Sequence, residues 1–338
     1  MLLPRIIYFF VFASIILIIA YYLQPVRKGK GTDTAIRYEL VKHWPRLPDQ
    51  FLGNPTGLGV DTQQNLVVFH RAGRTWPWFG MPKEFIHDKT MLILDKETGT
   101  LIDSWGEDIF IMPHGLAVDH NNNIWVTDVG LHQVFKFSHS GQLLMEVGES
   151  MVSGNDSMHF NRPTDIVVAA DGCFYVSDGY GNSRIVKFDS SGRYLMHWGS
   201  HGDQPGQFDI PHSIDLDAVG NVYVADRQNN RVEVFSPDGK FLKTWTDESF
   251  GNMFSIECNK TDGSFLAVDD HSFLTFRHRG SDVYVFDSSG TVRSRFGRSG
   301  NYDGATGWYH DATVDTEGNI YVGDILNNKI LKFKKVVP

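Results

Sequence analysis

A phrase of 16 to 18 residues occurs six times after residue 50, and this repetition constrains the fold more than any other feature of the chain. Each copy has an apolar segment, a turn rich in Asp, Asn and Gly, and a second apolar segment. The copies occupy residues 54–71, 112–128, 162–178, 210–226, 254–270 and 309–324. Each opens a unit of roughly 40 to 55 residues, a period typical of propellers. Short segments with a period of two predict four antiparallel strands per unit, so the predicted fold is an all-β, six-bladed β-propeller.

The two ends of this repeat region are predicted to close the ring. The sixth unit stops after its third strand, which would leave an unpaired edge. Residues 38–44, YELVKHW, resemble the fourth strands of other units, such as YLMHWG and FLKTWT. We therefore expect this segment to complete the last blade of a propeller that covers residues 36–335. The repeated phrase resembles the NHL repeat family.

The N-terminus predicts a membrane anchor. Residues 6–23 contain no charge and are long enough to cross a bilayer as a helix. Ala20 is followed by two tyrosines where a cleaved signal peptide needs small residues, so we expect an uncleaved signal anchor over residues 1–23. A buried core helix is the poorer alternative, because the rest of the chain offers no helices for packing. Residues 24–35 are predicted to be a polar linker.

Charge and composition exclude several classes of function. Lys and Arg number 31 against 40 Asp and Glu, and a net charge of −9 disfavours a nucleic-acid partner. Two cysteines cannot form a disulfide framework. The chain has no HExxH, G-x-S-x-G or Walker-type motif.

Three of the 14 histidines stand at the start of the inner strand in alternate copies. His114, His212 and His310 are each separated by 98 residues. The equivalent positions in the other copies are interpreted as Thr56, Thr164 and Ser255. Alternate blades are related by a pseudo-threefold axis, so the three imidazoles can converge on the centre of the ring. Three nitrogen ligands with an open fourth position suit a catalytic zinc ion.

The alternative for each of these histidines is a structural role, in which it caps a strand or bonds to the neighbouring blade. That is the usual role of a single channel histidine, and equal spacing in alternate blades is what favours the metal. The other eleven, among them His70, His132 and His271, are interpreted as structural or surface residues.

The loop after the second strand of each unit is predicted to lie on the same face as the histidines. Five copies end this strand with an aspartate, which we interpret as an anchor for the turn: Asp128, Asp178, Asp226, Asp270 and Asp324. The first copy instead has His70 followed by Arg71. Arg71 and Tyr180 are not dictated by the repeat. An arginine there can clamp a carboxylate and a tyrosine can act as a base, although each alone is more often ordinary surface.

These residues resemble the peptidyl-α-hydroxyglycine α-amidating lyases over nearly the whole ring. The matching motifs are FHR, MPHGLAVD, RPTD followed by YVSDGYGNSRIVKF, IPHS and YHDATVD. The resemblance implies that His114, His212 and His310 bind zinc, that Tyr180 is the base, and that Arg71 lies beside it. It also implies a structural calcium ion, held by Asp311 and the backbone carbonyls of Leu58 and Leu116; oxygen ligands suit that cation.

Two positions depart from the family pattern. Gly181 replaces a disulfide-forming cysteine, so the Tyr180 loop must be held by packing or by Asn182 and Arg184. Trp308 replaces a methionine two residues before the last histidine, a change that we expect to reshape the substrate pocket.

The activity implied by the resemblance is cleavage of the C–N bond of a peptidyl- or N-acyl-α-hydroxyglycine, giving an amide and glyoxylate. A separate monooxygenase would supply the substrate, and we expect the protein to be monomeric. The resemblance implies an extracytoplasmic or lumenal ring. The charges flanking residues 6–23 instead slightly favour a cytoplasmic ring. Two alternatives remain open: a non-enzymatic NHL scaffold, and a calcium-dependent lactone hydrolase, which would use carboxylate and amide ligands.

Overall fold

The computed structural model describes residues 36–48, 51–77, 79–271, 280–297 and 307–336. The predicted anchor, residues 1–23, and the linker, residues 24–35, lie outside these ranges. Within them, no helix has the length and apolar character needed to cross a membrane. The helical structure of the described residues is a single 3-10 turn, Arg227–Asn229.

Twenty-four strands form six antiparallel sheets of four strands each, which confirms the all-β, six-bladed propeller. The first three blades are β2 (Pro55–Val60), β3 (Leu66–His70), β4 (Met91–Leu94), β5 (Leu101–Trp105); β6 (Pro113–Val118), β7 (Ile124–Asp128), β8 (Gln133–Phe137), β9 (Leu143–Val147); and β10 (Asp165–Val168), β11 (Phe174–Asp178), β12 (Arg184–Phe188), β13 (Tyr194–Trp198). The other three are β14 (Pro211–Leu216), β15 (Val222–Asp226), β16 (Arg231–Phe235), β17 (Phe241–Trp245); β18 (Asn252–Cys258), β19 (Phe265–Asp270), β20 (Asp282–Phe286), β21 (Val292–Gly297); and β22 (Tyr309–Val314), β23 (Ile320–Asp324), β24 (Lys329–Val336), β1 (Arg37–Leu40).

The N-terminal strand closes the ring, as the sequence predicted. β1 pairs antiparallel with β24, with Tyr38 opposite Lys335, so the last blade combines the two ends of the repeat region. The first strand of each blade contacts the first strand of the next, and β22 contacts β2. The six inner strands therefore surround one central channel, and whatever starts an inner strand lies at the channel mouth.

Neighbouring blades are joined by a tryptophan packed on a turn glycine. The ring of Trp105, at the end of β5, lies where a side chain on Gly141 of the next blade would begin, 2.8 Å from the glycine's hypothetical Cβ. Gly239 faces Trp198 in the same way, also at 2.8 Å. Both glycines have a positive φ, of 86° and 77°, which L side chains rarely adopt. A tryptophan at the end of one blade and a turn glycine of the next blade therefore form a contact between blades.

The recurring aspartate anchors the second, third, fourth and sixth blades, as predicted, whereas the fifth blade uses a different aspartate. Asp128 accepts hydrogen bonds from the backbone N–H groups of Ile111 and Met112, at 2.8 and 2.9 Å. In the fifth blade the equivalent acceptor is Asp269, which bonds to Gly251 N at 2.8 Å, so assigning this role to Asp270 was wrong by one residue. The register agrees, because Asp269 lies opposite Met253 on β18 as Asp226 lies opposite Pro211 on β14.

Candidate active site

The three histidines expected to bind zinc lie at register shifts near the start of three inner strands. His212 falls between Pro211 and Ser213, where the register with β15 shifts by one residue, and His310 occupies the same place in β22. His114 lies in a similar irregularity at the start of β6. A β-bulge leaves its extra residue outside the ladder and re-aims its side chain. Here the bulges take the three imidazoles out of the sheets and into the channel.

The structure brings the three imidazoles together. Their ring centroids form a nearly equilateral triangle, with separations of 4.6 Å (His114–His310), 4.8 Å (His114–His212) and 4.9 Å (His212–His310). One ring nitrogen from each lies within 4.8 Å of the others, and all three residues are buried. The space beneath them is a cavity of about 10 Å³, room for about one water molecule or ion.

Backbone carbonyls fix the orientation of all three rings. Each Nδ1 lies against the carbonyl oxygen of the neighbouring blade: Thr164 for His114 at 2.6 Å, Phe254 for His212 at 2.6 Å, and Thr56 for His310 at 2.9 Å. A carbonyl only accepts, so Nδ1 carries the proton and Nε2 presents a lone pair. Histidines that bind metals are held in this way by a second hydrogen bond.

These contacts also correct the predicted alternation of imidazoles with hydroxyls. Thr56 and Thr164 occupy the expected positions, but the equivalent residue of the fifth blade is Phe254, not Ser255. Phe254 falls at the register shift between Met253 and Ser255. Its ring packs against His212, with centroids 4.8 Å apart.

Electrostatics keep the three imidazoles neutral. Burial lowers the pKa of His114, His212 and His310 well below the usual range. For His114 and His212 the next contribution is repulsion from His310, and for His310 it is repulsion from Arg71. Neutral imidazole is the form that binds metal ions, so the donor set fits zinc at neutral pH.

Tyr180 completes the cluster. Its hydroxyl lies 3.0 Å from Nε2 of His114 and 3.0 Å from Nε2 of His212. Both nitrogens are acceptors, and one phenol proton can satisfy only one of them. A cation at this point would satisfy the remaining lone pair, which is a second reason why the cluster fits a metal ion.

The Tyr180 loop is held without a disulfide, by the residues that the sequence indicated. Asn182 donates to Asp178 at 2.6 Å and to the Gly154 carbonyl at 2.9 Å. Arg184 donates from Nε to the same carboxylate, at 2.9 Å. A side chain at Gly181 would begin 2.1 Å from the side-chain amide of Asn161, so a larger residue there would require Asn161 to move.

Arg71 lies at the mouth, as predicted. It is 2% exposed, and its Nε donates to the Pro113 carbonyl at 3.0 Å. Burial lowers the pKa of Arg71 to about 10, so the guanidinium stays charged at neutral pH. Its buried Nη2 has no hydrogen-bond partner among the residues that the structure describes. A buried charged donor without a partner is costly, and a carboxylate ligand would satisfy it.

A second arginine, Arg227, was missed from the sequence. Its Nη1 lies 3.4 Å from the Tyr180 hydroxyl, and its guanidinium lies over the rings of Tyr180 and Phe254, at 5.3 and 5.0 Å. Arg227 follows Asp226 in the fourth blade as Arg71 follows His70 in the first. Both backbone N–H groups bond to the residue before the strand proline, at 3.1 and 3.0 Å. The equivalence of the two arginine positions is visible in the sequence and could have identified Arg227.

The residues expected to hold calcium lie deeper in the channel. Asp311 Oδ2 accepts a hydrogen bond from Leu58 N at 2.7 Å, and Leu116 lines the same cavity of about 270 Å³. Asp165 and Glu257 also line it. Burial in the ring raises the pKa of Asp165 to about 7 and of Glu257 to about 8, with repulsion from Asp215 adding to each. Crowded carboxylates of this kind fit a hard cation.

Comparison with known proteins agrees with this architecture. The NHL repeat model matches residues 110–137, 160–188 and 208–235. A gluconolactonase from Xanthomonas campestris has a similar structure, with a TM-score of 0.58 and 15% identity over 93% of this chain and 99% of that one. At that identity the likeness concerns the fold alone.

The relatives that are similar in sequence include the following two. The peptidyl-glycine alpha-amidating monooxygenase of Mus musculus is 35% identical over 301 residues, which are 83% of this chain and 30% of the relative. The chain therefore spans about a third of that relative's length. The probable peptidyl-alpha-hydroxyglycine alpha-amidating lyase of Caenorhabditis elegans is 42% identical over 255 residues, covering 69% of this chain and 72% of the relative. With this identity and coverage, the chain belongs to the peptidyl-α-hydroxyglycine α-amidating lyases, a family of carbon–nitrogen lyases.

Proposed function

We propose that the protein is a zinc-dependent lyase that cleaves the C–N bond of a peptidyl- or N-acyl-α-hydroxyglycine to an amide and glyoxylate. The observation that carries this proposal is the triangle of His114, His212 and His310, with Tyr180 3.0 Å from two of its nitrogens. Bound zinc would supply a Lewis acid that favours deprotonation of the substrate hydroxyl.

Tyr180 is placed to move the proton. After its own proton has left, the phenolate oxygen accepts the proton of the substrate hydroxyl, and the electron pair of that O–H bond forms the carbonyl of glyoxylate as the C–N bond breaks. The amide nitrogen takes the bond's electron pair and a proton, which Tyr180 can return. The sum is transfer of one proton from oxygen to nitrogen, so no oxidant or reductant is needed.

The two arginines would handle the negative charges. Arg71, whose Nη2 has no hydrogen-bond partner in the described part of the chain, binds the substrate carboxylate. Arg227 stays close to the phenol oxygen, at 3.4 Å, and offsets the charge that forms there when the proton is withdrawn. Arg227 is assigned to the phenol oxygen because its Nη1 donates a hydrogen bond to that oxygen.

The test is metal analysis of the purified full chain together with glyoxylate release from α-hydroxyhippurate. About one zinc per chain and glyoxylate production that stops on chelation and returns with zinc are expected. A metal-free protein that binds peptides would support the scaffold alternative. A protein that carries only calcium and hydrolyses lactones would support the hydrolase.

We also propose a structural calcium ion held by Asp311 and the carbonyls of Leu58 and Leu116. It is supported by the crowding of carboxylates in the channel and by the family resemblance. The same metal analysis tests it, because calcium should stay bound when zinc is removed from the histidines by a zinc-selective chelator. Loss of thermal stability on calcium removal, without loss of zinc, is the expected signature.

For location and partners, we propose a monomer anchored by residues 6–23, with the ring on the extracytoplasmic or lumenal side. A separate monooxygenase would hydroxylate the glycine, which is consistent with relatives that are themselves named monooxygenases. Digestion of the ring by external protease in intact cells or sealed vesicles tests the orientation, and fractionation tests the anchor.

A further inference from the structure

An aromatic side chain that no step of the proposed reaction uses lies beside the candidate base. Trp76 belongs to the long connection between β3 and β4, and its ring centroid is 4.8 Å from that of Tyr180. The Arg71 guanidinium lies 5.2 Å from the same indole. Trp76 therefore contacts both the residue that would take the proton and the residue that would bind the carboxylate.

We propose that Trp76 is the acyl-binding wall of the site, and that the substrate class is N-acyl-α-hydroxyglycines with an aromatic ring close to the amide. This inference rests on the proposed lyase function.

The shape of the substrate places its acyl group near Trp76. The reacting carbon carries a hydroxyl, a carboxylate and the acylated nitrogen. With the hydroxyl at Tyr180 and the carboxylate at Arg71, the acylated nitrogen is bonded to a carbon held between those two residues. Trp76 touches both of them, so its indole lies within reach of the first atoms of the acyl group.

The Trp76 indole is held by its neighbours and is still partly exposed to solvent. Trp76 is 39% exposed, although its contacts with Tyr180 and Arg71 restrict its motion. A pre-positioned tryptophan loses little side-chain entropy when a ligand covers it, and it favours offset or tilted packing of another ring. An aromatic acyl group would gain this contact, whereas an acetyl group is too small to cover the indole.

A second aromatic surface at the mouth points to the same preference. Phe254 lies against His212 and also contacts Trp308, with ring centroids 5.9 Å apart. Trp308 is the residue that replaces the family's methionine. The mouth thus combines the Arg71 guanidinium, which suits a carboxylate, with aromatic walls, which suit an apolar and planar acyl group.

The experiment compares two substrates that differ only in the acyl group: α-hydroxyhippurate, which carries benzoyl, and N-acetyl-α-hydroxyglycine. Values of kcat and KM are measured by glyoxylate release for the full chain and for Trp76→Ala, Trp76→Phe and Phe85→Ala. Phe85 is the matched control, an aromatic residue of the same connection that is 38% exposed. Binding of the unreactive analogues hippurate and N-acetylglycine is measured by calorimetry.

We expect Trp76→Ala to raise KM for the benzoyl substrate roughly 3- to 10-fold, and to weaken hippurate binding to the same extent. The acetyl compounds should change less than about twofold, kcat should change little, and Trp76→Phe should restore most of the loss. Phe85→Ala should behave as the unaltered protein.

Equal losses with benzoyl and acetyl compounds would mean that Trp76 only supports Tyr180 or Arg71, and would overturn the inference. So would an unaltered KM and an unaltered hippurate affinity. If the unaltered protein releases no glyoxylate from either substrate, the lyase proposal fails instead, and the hippurate measurement then decides separately whether Trp76 binds an aromatic acyl group.

Discussion

Acidification from pH 7 to pH 5 is expected to destabilise the ring by about 2 kcal/mol through one buried side chain, His70. His70 is 1% exposed and ends β3, where the other blades have an aspartate. Its Nδ1 accepts hydrogen bonds from the backbone N–H groups of Gly53 and Ala72, at 3.2 and 3.1 Å. The neutral ring therefore replaces the carboxylate anchor, directly before Arg71.

The magnitude follows from linkage. Burial lowers the pKa of His70 from 6.5 to about 4 in the folded protein. Between these two values the unfolded chain binds a proton that the folded chain does not, so stability falls as the pH falls. At pH 5 the difference is about 2 kcal/mol, and it stays above about 1.6 kcal/mol for any folded-state pKa of 5 or less.

The assay is urea unfolding at pH 7, 6 and 5 for the unaltered protein and His70→Asn, both with the same metal content. The asparagine oxygen can accept the same two N–H groups but does not titrate. Groups common to both proteins cancel in the difference, so the unaltered protein should lose about 2 kcal/mol more between pH 7 and pH 5. The exposed His120, changed to Asn, is the control. Identical pH dependence in the unaltered protein and His70→Asn would refute the reasoning.

The remaining predictions concern the site. His212→Ala should lower zinc content at least about tenfold after dialysis and abolish glyoxylate release, while His120→Ala retains both; zinc retained at full content would exclude His212 as a ligand. Tyr180→Phe should lower kcat roughly 10²- to 10⁴-fold with zinc content unchanged, and a smaller loss would mean that another group takes the proton. Arg227→Gln should lower kcat/KM roughly 10- to 100-fold at constant zinc content, as removal of a charged hydrogen-bond donor does. An unaltered kcat/KM would place Arg227 outside the reaction.

The meeting of the three histidines and the closure of the ring could be predicted, because equivalent residues of the six copies occupy equivalent places in their blades. Spacing alone put His114, His212 and His310 on alternate blades, and the ring then required them to meet. The closure by β1 followed from the missing fourth strand of the last unit. In both cases comparison of the copies with one another was sufficient, and no detailed strand geometry was needed.

Arg227 shows where comparison of copies was applied incompletely. Arg71 attracted attention because His70 breaks the aspartate pattern before it. Arg227 follows an ordinary Asp226, so nothing around it looked unusual. The two occupy the same place in the first and fourth blades, which are opposite each other in a ring of six. Only the distance to the Tyr180 hydroxyl, 3.4 Å, reveals that Arg227 also reaches the centre.

The fifth blade was misaligned from the sequence because its turn between β18 and β19 has six residues, 259–264, where the turn between β14 and β15 has five, 217–221. The sequence comparison paired Ser255 with Asp270, whereas the register makes Asp269 the strand-ending acceptor and Phe254 the equivalent of Thr56 and Thr164. The substitution of phenylalanine for a hydroxyl residue is tolerated for a definite reason. The even-numbered blades need the carbonyl of this residue to orient their imidazoles, and Phe254 supplies its carbonyl to His212 at 2.6 Å as Thr164 does to His114. Because the conserved requirement lies in the backbone, the side chain is free to become part of the aromatic wall of the mouth.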